Sequence, residues 1–384
     1  MPGTTDEKAP QRAVGKNTET KGPVIFSVPG FANRYTGAFI LLVPVILSLV
    51  ILGIIFFPGG AIRPGTVMFV TGLLTVILVF FTFVIFMNRI STALRTLGNR
   101  GILVPGDGIP LFLVDTFALM DNRLQWVMAE LFAILPVSWF VAVRQGPLMG
   151  EPFQVFLLVI EIFIAFLIGL IAWRLVVTGL QIRSVPFRFS LELQPGHPDQ
   201  CGGLAPLGNL CLINALIISL PGIYLGGWMA VGPAIGFVAI SETYRPIFTI
   251  LLLVPVIFSV ITFFIPLWET HRVMVGKKRE ILRNLDELAE SMNRRNQELL
   301  NVPENAAPDI GMARIKDLET IQTQIASLEK IYGQYQKVSE WPFNTRIFLQ
   351  FMTTQAVPVL TLAGVSQPLA GFIVSIFGLL MGTA

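Results

Sequence analysis

The chain has 384 residues, of which 53% are hydrophobic and only 13% are charged, and its mean hydropathy is +0.71. Soluble domains carry about 25% charged residues, so the composition excludes a water-soluble globular protein. Nearly half of the charged residues lie between positions 269 and 346. The nearly charge-free stretches outside that segment predict an all-α integral membrane protein with several transmembrane helices.

The N-terminal residues 1–36 are polar and of mixed charge, which predicts a disordered cytosolic tail. Residues 37–268 then contain six of the seven stretches long and apolar enough to cross a bilayer, and residues 346–384 contain the last. The fifth stretch is interrupted at Pro221, so it is either one kinked helix or a helix with a re-entrant segment. The predicted spans are 38–58, 66–87, 124–143, 152–173, 207–231, 246–268 and 356–381.

The distribution of basic residues predicts the orientation of the spans. Only three of the 27 Lys and Arg residues, Arg63, Arg144 and Arg245, fall in the predicted outside loops. Cytosolic loops carry the excess of Lys and Arg. We therefore expect seven spans, with the N-terminus in the cytosol and the C-terminus outside.

Residues 269–345 form a charged segment with helical periodicity between the last two spans. Apolar residues recur there at spacings of three, four or seven, on both sides of a break at residues 301–303. Two such narrow apolar seams predict an antiparallel helical hairpin, or coiled coil, in the cytosol. The hairpin is either a solvated spacer or a surface that binds a cytosolic partner at residues 276–338. The seam residues are Ile281, Leu285, Leu288, Met292 and Leu299, then Leu318, Ile321, Ile325, Leu328, Tyr332 and Tyr335.

Small and uncharged polar residues mark the last predicted span. Small residues at heptad spacing allow helices to approach closely in lipid, and uncharged polar side chains are tolerated where a helix faces protein or water. We expect this helix either to line a pore around a symmetry axis or to pack within the bundle. The residues concerned are Gly364, Ser366, Gln367, Gly371, Ser375 and Gly378.

Two carboxyl groups, Glu130 in the third span and Glu161 in the fourth, are predicted at membrane depth. Ionisable residues there are costly and usually face a bundle interior or a water path. Their roles include ion coordination, proton coupling or a gating contact, or a carboxyl that only fixes helix packing. They are predicted in opposite halves of the bilayer, which argues against one proton-relay pair.

The loop between the fourth and fifth spans contains His197-Pro198-Asp199-Gln200-Cys201-Gly202-Gly203-Leu204. Asp199 is suited to capping the next helix, and the two glycines allow a sharp turn into it. A pH-sensing role for His197 and a weak metal site are the alternatives. This pattern, His-Pro-Asp followed two residues later by Gly-Gly-Leu, resembles uncharacterised bacterial multi-spanning membrane proteins. The resemblance implies a bacterial inner membrane location and no defined activity.

Enzymatic motifs are missing from the sequence. It contains no H-E-x-x-H, G-x-S-x-G or P-loop pattern, and its 2 Cys and 2 His are too few for a disulfide framework or a histidine-rich metal centre. We expect no catalytic activity, no metal and no cofactor, and no nucleic-acid partner.

The leading functional hypothesis is a homo-oligomeric ion channel in the lipid bilayer. Its last helix would line the pore, and the cytosolic hairpin would be an anchor or gate. The order of elements resembles that of insect odorant-receptor channels, in topology only. The alternatives are a membrane scaffold or sensor that recruits a cytosolic partner through the hairpin, and a secondary transporter.

Overall fold

The structure is a computed structural model, and it describes residues 64–144, 152–231, 245–301 and 308–365. Most of these residues are helical, which confirms the all-α prediction. A short antiparallel ribbon of β1 (Leu103–Val104) and β2 (Ser190–Leu191) joins two loops. The helices are α1 (Pro64–Asn99), α2 (Ile109–Met120), α3 (Leu124–Arg144), α4 (Pro152–Arg188), α5 (Ala205–Val231), α6 (Arg245–Leu300), α7 (Pro308–Gln336) and α8 (Thr345–Val365).

Four of the described helices are long and apolar enough to cross a membrane. They are the stretches Val70–Asn99, Leu158–Arg188, Ala205–Met229 and Phe248–Leu300. A shorter apolar helix, Leu124–Ser138, coincides with the third predicted span. The first predicted span lies outside the described residues, as does the tail before it and the last span beyond residue 365.

Helix α5 lies at the centre of the bundle, where it contacts α1, α6 and α8, while α3 packs mainly against α4. Phenylalanine side chains fill the interior, and the rings of Phe263 and Phe351 stack with centroids 4.4 Å apart. Lipid tails are as apolar as these rings, so helix association in the membrane depends on close packing rather than on a hydrophobic driving force.

A buried polar contact also fixes α8 in the bundle. The Gln355 side chain is 4% exposed, its amide donates to Ser219 Oγ at 2.6 Å, and its carbonyl accepts from Ser259 at 2.9 Å. These bonds join α8 to α5 and α6. The Thr361 hydroxyl adds a bond to the Gly226 carbonyl at 3.2 Å. Gln355 and Thr361 therefore hold α8 against α5 and α6.

The predicted inner loop between the second and third spans contains helix α2. Its Phe112 is 3% exposed and packs inward, whereas Leu111 and Val114 are 71% and 62% exposed. Asp115 on α2 pairs with Arg188 at the end of α4, at 2.9 Å. With 12 residues, α2 is too short to cross a bilayer, and its apolar outer face is suited to the membrane surface.

The sixth predicted span and the first arm of the predicted hairpin lie in one continuous helix of 56 residues, α6. Near the bundle, the Lys278 ammonium donates to the carbonyls of Gln336 and Val338 at 3.1 and 2.8 Å, which places the end of α7 beside α6. Seam residue Ile321 is 7% exposed and Leu288 is 44% exposed. The two arms contact each other, and their seams are only partly covered.

Candidate functional site

Three distant segments meet where α6 leaves the apolar bundle. We call residues 197–204, 268–278 and 338–348 together the interfacial joint. We expect the membrane boundary at this point, because α6 changes here from apolar to charged. Leu267 is fully buried, and Glu269 begins the charged part of the helix with contacts to Arg183 at 3.3 Å and Arg272 at 3.5 Å.

Asp199 organises the first segment of the joint. Its Oδ1 accepts the backbone N–H groups of Cys201 at 2.9 Å and Gly203 at 3.0 Å. Its Oδ2 accepts the N–H of Ala205, the first residue of α5, at 3.1 Å. The carboxylate therefore compensates a free N–H group at the helix start, where the helix dipole also favours negative charge.

The surroundings of Asp199 favour its ionised form. Burial by itself raises the pKa of the carboxyl group. The three backbone hydrogen bonds and the contact with His197 together outweigh burial and lower the pKa of Asp199 below its usual value of 3.8. The group is therefore a permanent anion at neutral pH, and it anchors the loop.

His197 connects this anion to the end of α1. Its Nδ1 lies 2.8 Å from Asp199 Oδ1, and its Nε2 lies 3.3 Å from Arg100 Nη1. A guanidinium can only donate, so Nε2 accepts and Nδ1 carries the proton that is donated to the carboxylate. The Asp199 N–H is 3.4 Å from Nδ1, which is too long to compete with that contact. The chain Arg100–His197–Asp199 joins α1 to the start of α5.

The two glycines of the loop have backbone angles that other residues rarely adopt. Gly202 and Gly203 have φ angles of +63° and +92°, in or near the left-handed region that favours glycine. A Cβ atom at Gly203 would also collide with the Ile102 side chain. Both features explain why glycine is needed in this turn before α5.

Cys201 lies in the same turn and is inert. Its side chain is fully buried, and burial, with a smaller effect of the Asp199 charge, raises the pKa of the thiol to about 12. The thiolate is the reactive form of cysteine, so the structure argues against nucleophilic or redox chemistry at Cys201. Within the described ranges, no cluster of His, Cys, Asp and Glu side chains could hold a metal ion.

The returning end of the hairpin is bonded directly to this loop and to α6. The Ser339 N–H donates to the Gln200 carbonyl at 2.7 Å. His271 Nδ1 lies 2.8 Å from the Glu340 carbonyl, so it must be the donor. The imidazole of His271 also stacks on Trp341, with ring centroids 4.1 Å apart. Backbone hydrogen bonds and aromatic stacking thus fix residues 338–341 in the joint.

The start of α8 is held against α5 by close backbone packing. A Cβ atom at Gly208 of α5 would overlap the Pro342 carbonyl oxygen and lie 2.9 Å from Phe343 Cβ. Asn344 then caps α8, with its Oδ1 accepting the Ile347 N–H at 3.0 Å. The chain passes from α7 to α8 through this contact.

The remaining predicted site residues do not belong to the joint. Glu130 on α3 and Glu161 on α4 are both exposed on the described surface. Gly364 is in the last turn of the described part of α8. The other residues predicted to line a pore lie outside the described residues; they are Ser366, Gln367, Gly371, Ser375 and Gly378.

Sequence reasoning missed the partners of the HPDQCGGL loop. Arg100 and Ser339 are far from it in the chain, and no local pattern marks them. Lys278, which bonds the end of α7 rather than this loop, does have a local signal, because it follows the point where α6 becomes charged. Its acceptors near the end of α7 could be found only from the folded chain.

Comparison with protein-family models, curated proteins and solved structures finds no match. The resemblances drawn from the HPDQCGGL loop and from the order of spans therefore stay predictions.

Proposed function

We propose that the chain is one subunit of a homo-oligomeric ion channel with seven spans, in a bacterial inner membrane. In this proposal the C-terminal helix lines the pore, and the cytosolic hairpin anchors or gates it. The observation that supports the proposal is the interfacial joint. It connects the end of α7 to the loop before α5 and to α6 by hydrogen bonds, and the start of α8 to α5 by close packing at Gly208.

The joint gives a physical route from the hairpin to the last helix. Residues 338–341 are bonded to α6 through His271 and to the loop before α5 through Gln200. Residues 342–344 continue directly into α8 and pack against Gly208. A force on the hairpin would therefore act on α8 without passing through a flexible linker.

The contacts of α8 restrict which residues would line the pore. Gln355 and Thr361 make hydrogen bonds inside the subunit, so these polar groups serve helix packing. The pore-lining role is then assigned to the small and polar residues from Gly364 onwards, with Gly371 near the middle of the predicted span.

The scaffold or sensor alternative is favoured by a different observation. Several apolar residues of the hairpin remain exposed, among them Leu300 at 57% and Ile315 at 59%. Such residues are suited to covering by a helix of another protein. In that case the joint would transmit binding of the partner to the membrane helices.

Imaging the purified full-length protein in nanodiscs tests the channel proposal first. A closed ring with α8 near its axis, together with conductance in planar bilayers, is the expected result. A monomer, or a dimer with α8 on the outside, would overturn it. Gly371→Leu should block conduction or assembly, and normal currents in that variant would remove the pore assignment.

A deletion that preserves the joint separates the two hypotheses. Residues 285–330 would be replaced by a short Gly/Ser linker, so that Lys278 and Val338 keep their contact. A channel should still conduct, with altered opening. A scaffold should lose its cytosolic partner and show no conductance in either form.

A further inference from the structure

A surface cavity of about 230 Å³ lies beside the interfacial joint, between the loop before α5 and the start of α8. Its wall includes Trp341, whose ring is 6.0 Å from the ring of Trp268. Trp268 directly precedes the charged part of α6, so the cavity lies at the membrane boundary on the hairpin side. The lining residues are Gln200, Lys337, Ser339, Trp341, Phe343, Asn344, Thr345 and Phe348.

The polar groups of the cavity include several hydrogen-bond donors. Ser339 Oγ already accepts the Trp341 N–H at 3.2 Å, and Asn344 Oδ1 accepts the Ile347 N–H at 3.0 Å. The hydroxyl of Ser339 and the amide NH₂ of Asn344 therefore remain as donors. The side chains of Gln200 and Thr345 can donate as well. A ligand rich in acceptor oxygens matches this set.

The charge of the cavity also favours an anion. Among the described residues that line the cavity, Lys337 is the only charged one, and none carries a carboxylate. Among the residues that the structure describes, Lys337 makes no ion pair. By contrast, Lys278 donates to backbone carbonyls at the end of the hairpin. The ammonium group of Lys337 therefore provides a positive charge next to several hydrogen-bond donors.

Aromatic rings form the rest of the wall. Phe343 and Phe348 lie nearly parallel with centroids 6.1 Å apart, and Trp341 lies 5.3 Å from Phe343. Aromatic residues are enriched at the membrane–water interface. A site with a cation and donors on one side and aromatic rings on the other is suited to an amphiphile.

We propose that this cavity binds the phosphate headgroup of an anionic phospholipid. Lys337 would pair with the phosphate, the Ser339 and Asn344 donors would bond its oxygens, and the aromatic rings would contact the glycerol and upper acyl chain. The cavity is smaller than the roughly 300–1,000 Å³ of most ligand clefts, which suits a headgroup. Basic pockets between membrane helices bind lipid headgroups in this way. The binding does not depend on conduction.

Isothermal titration calorimetry of the full-length protein in a neutral detergent tests the proposal. The probe is dihexanoyl phosphatidylglycerol, with dihexanoyl phosphatidylcholine and inorganic phosphate as comparisons. We expect saturable binding of the anionic lipid and weaker binding of both comparisons. Lys337→Gln should weaken that binding about tenfold, as expected for loss of one charged hydrogen bond. Lys337→Arg should retain most of it, because the charge is kept.

Lys330→Gln is the matched control, because it removes the same charge from an exposed position on α7. Its affinity for the anionic lipid should equal that of the wild type. All three variants should have the same melting temperature as the wild type. Equal loss in Lys330→Gln, or unchanged binding in Lys337→Gln, would overturn the site. Inorganic phosphate binding as tightly as the lipid would overturn the lipid assignment and show that a soluble phosphate is the ligand.

Discussion

The interfacial joint and the outer part of the hairpin are stabilised in opposite ways. In the joint, groups far apart in sequence bond at short distance, as between Ser339 and Gln200 at 2.7 Å, and Leu204 is fully buried. In the outer hairpin, which we define as residues 285–330, the recorded ion pair Arg294–Glu290 lies within one helix and is exposed. Such exposed pairs contribute about 0.3–0.5 kcal/mol.

This difference indicates which part is rigid and which part can respond. The joint is fixed by tertiary contacts, so small changes there should disturb the whole molecule. The outer hairpin depends on helix propensity and a partly covered seam, so it can bend or accept a partner at little cost. The proposed gating by the hairpin depends on this difference.

The largest effect is expected from Gly208→Ala. The new methyl group would overlap the Pro342 carbonyl oxygen, and backbone cannot rotate away as a side chain can. We expect a loss of about 2–3 kcal/mol in the free energy of unfolding, measured by circular dichroism in mixed detergent. Gly333→Ala in α7, outside the joint, is the control, because nothing lies within 4 Å of its Cβ position. Its free energy of unfolding should increase by about 0.5–1 kcal/mol because alanine has the higher helix propensity. An equal loss in both variants would show that the destabilisation does not depend on contacts in the joint.

Asp199→Asn should have the next largest effect. It removes the anion that accepts three backbone N–H groups, and we expect a loss of about 2 kcal/mol at neutral pH. Because the pKa of Asp199 is lowered in the folded state, its stabilisation is complete above the usual value and is lost as pH falls through the lower folded pKa. Thermal melts of both proteins should therefore converge below pH 3.8. If the difference in melting temperature stayed the same at acid pH, the loss of stability would be due to the shape of the side chain rather than to its charge.

Lys278→Met tests the link between the hairpin and the joint. It removes the ammonium that donates to the Gln336 and Val338 carbonyls, and we expect a loss of about 1 kcal/mol. Hydrogen exchange should become faster in the last turn of α7 and slower nowhere. Lys277→Met changes the adjacent lysine in the same way and should leave that exchange unaltered. A similar acceleration of hydrogen exchange in both variants would mean that the positive charge, and not the hydrogen bonds of Lys278, stabilises the end of α7.

Leu288→Ala in the outer hairpin should have the smallest effect. The side chain is 44% exposed, so the expected loss is less than about 1 kcal/mol. Unfolding measured at low and high protein concentration provides the check. A larger loss that grows with concentration would show that a second chain covers Leu288, and the hairpin would then be an association surface.

Local patterns predicted the helices well where periodicity was strong. The apolar stretches at 66–87, 152–173, 207–231 and 246–268 all lie within described helices, because about twenty apolar residues leave few other structures in a bilayer. The seam of the hairpin likewise predicted helices on both sides of the break. Helix α2 was missed because it is short and because its sequence is as apolar as the spans on either side of it.

The candidate site was only half predictable. Asp199, Gly202 and Gly203 were selected from the sequence for capping and turning, which are local properties. The stacking of Trp341 on His271 could not be predicted from the sequence. Contacts of that kind join residues separated by 70 positions or so, and chain spacing carries no information about them.

The sequence by itself determined the class of this protein, because composition and apolar run length decide how a chain meets lipid. Tertiary structure alone decided that the loop after α4, the charged start of the hairpin and the beginning of α8 meet in one place. That meeting depends on the direction of α6 as a single unbroken helix and on the close approach allowed at Gly208. Those are properties of packed helices, and they arise only when the three segments are together.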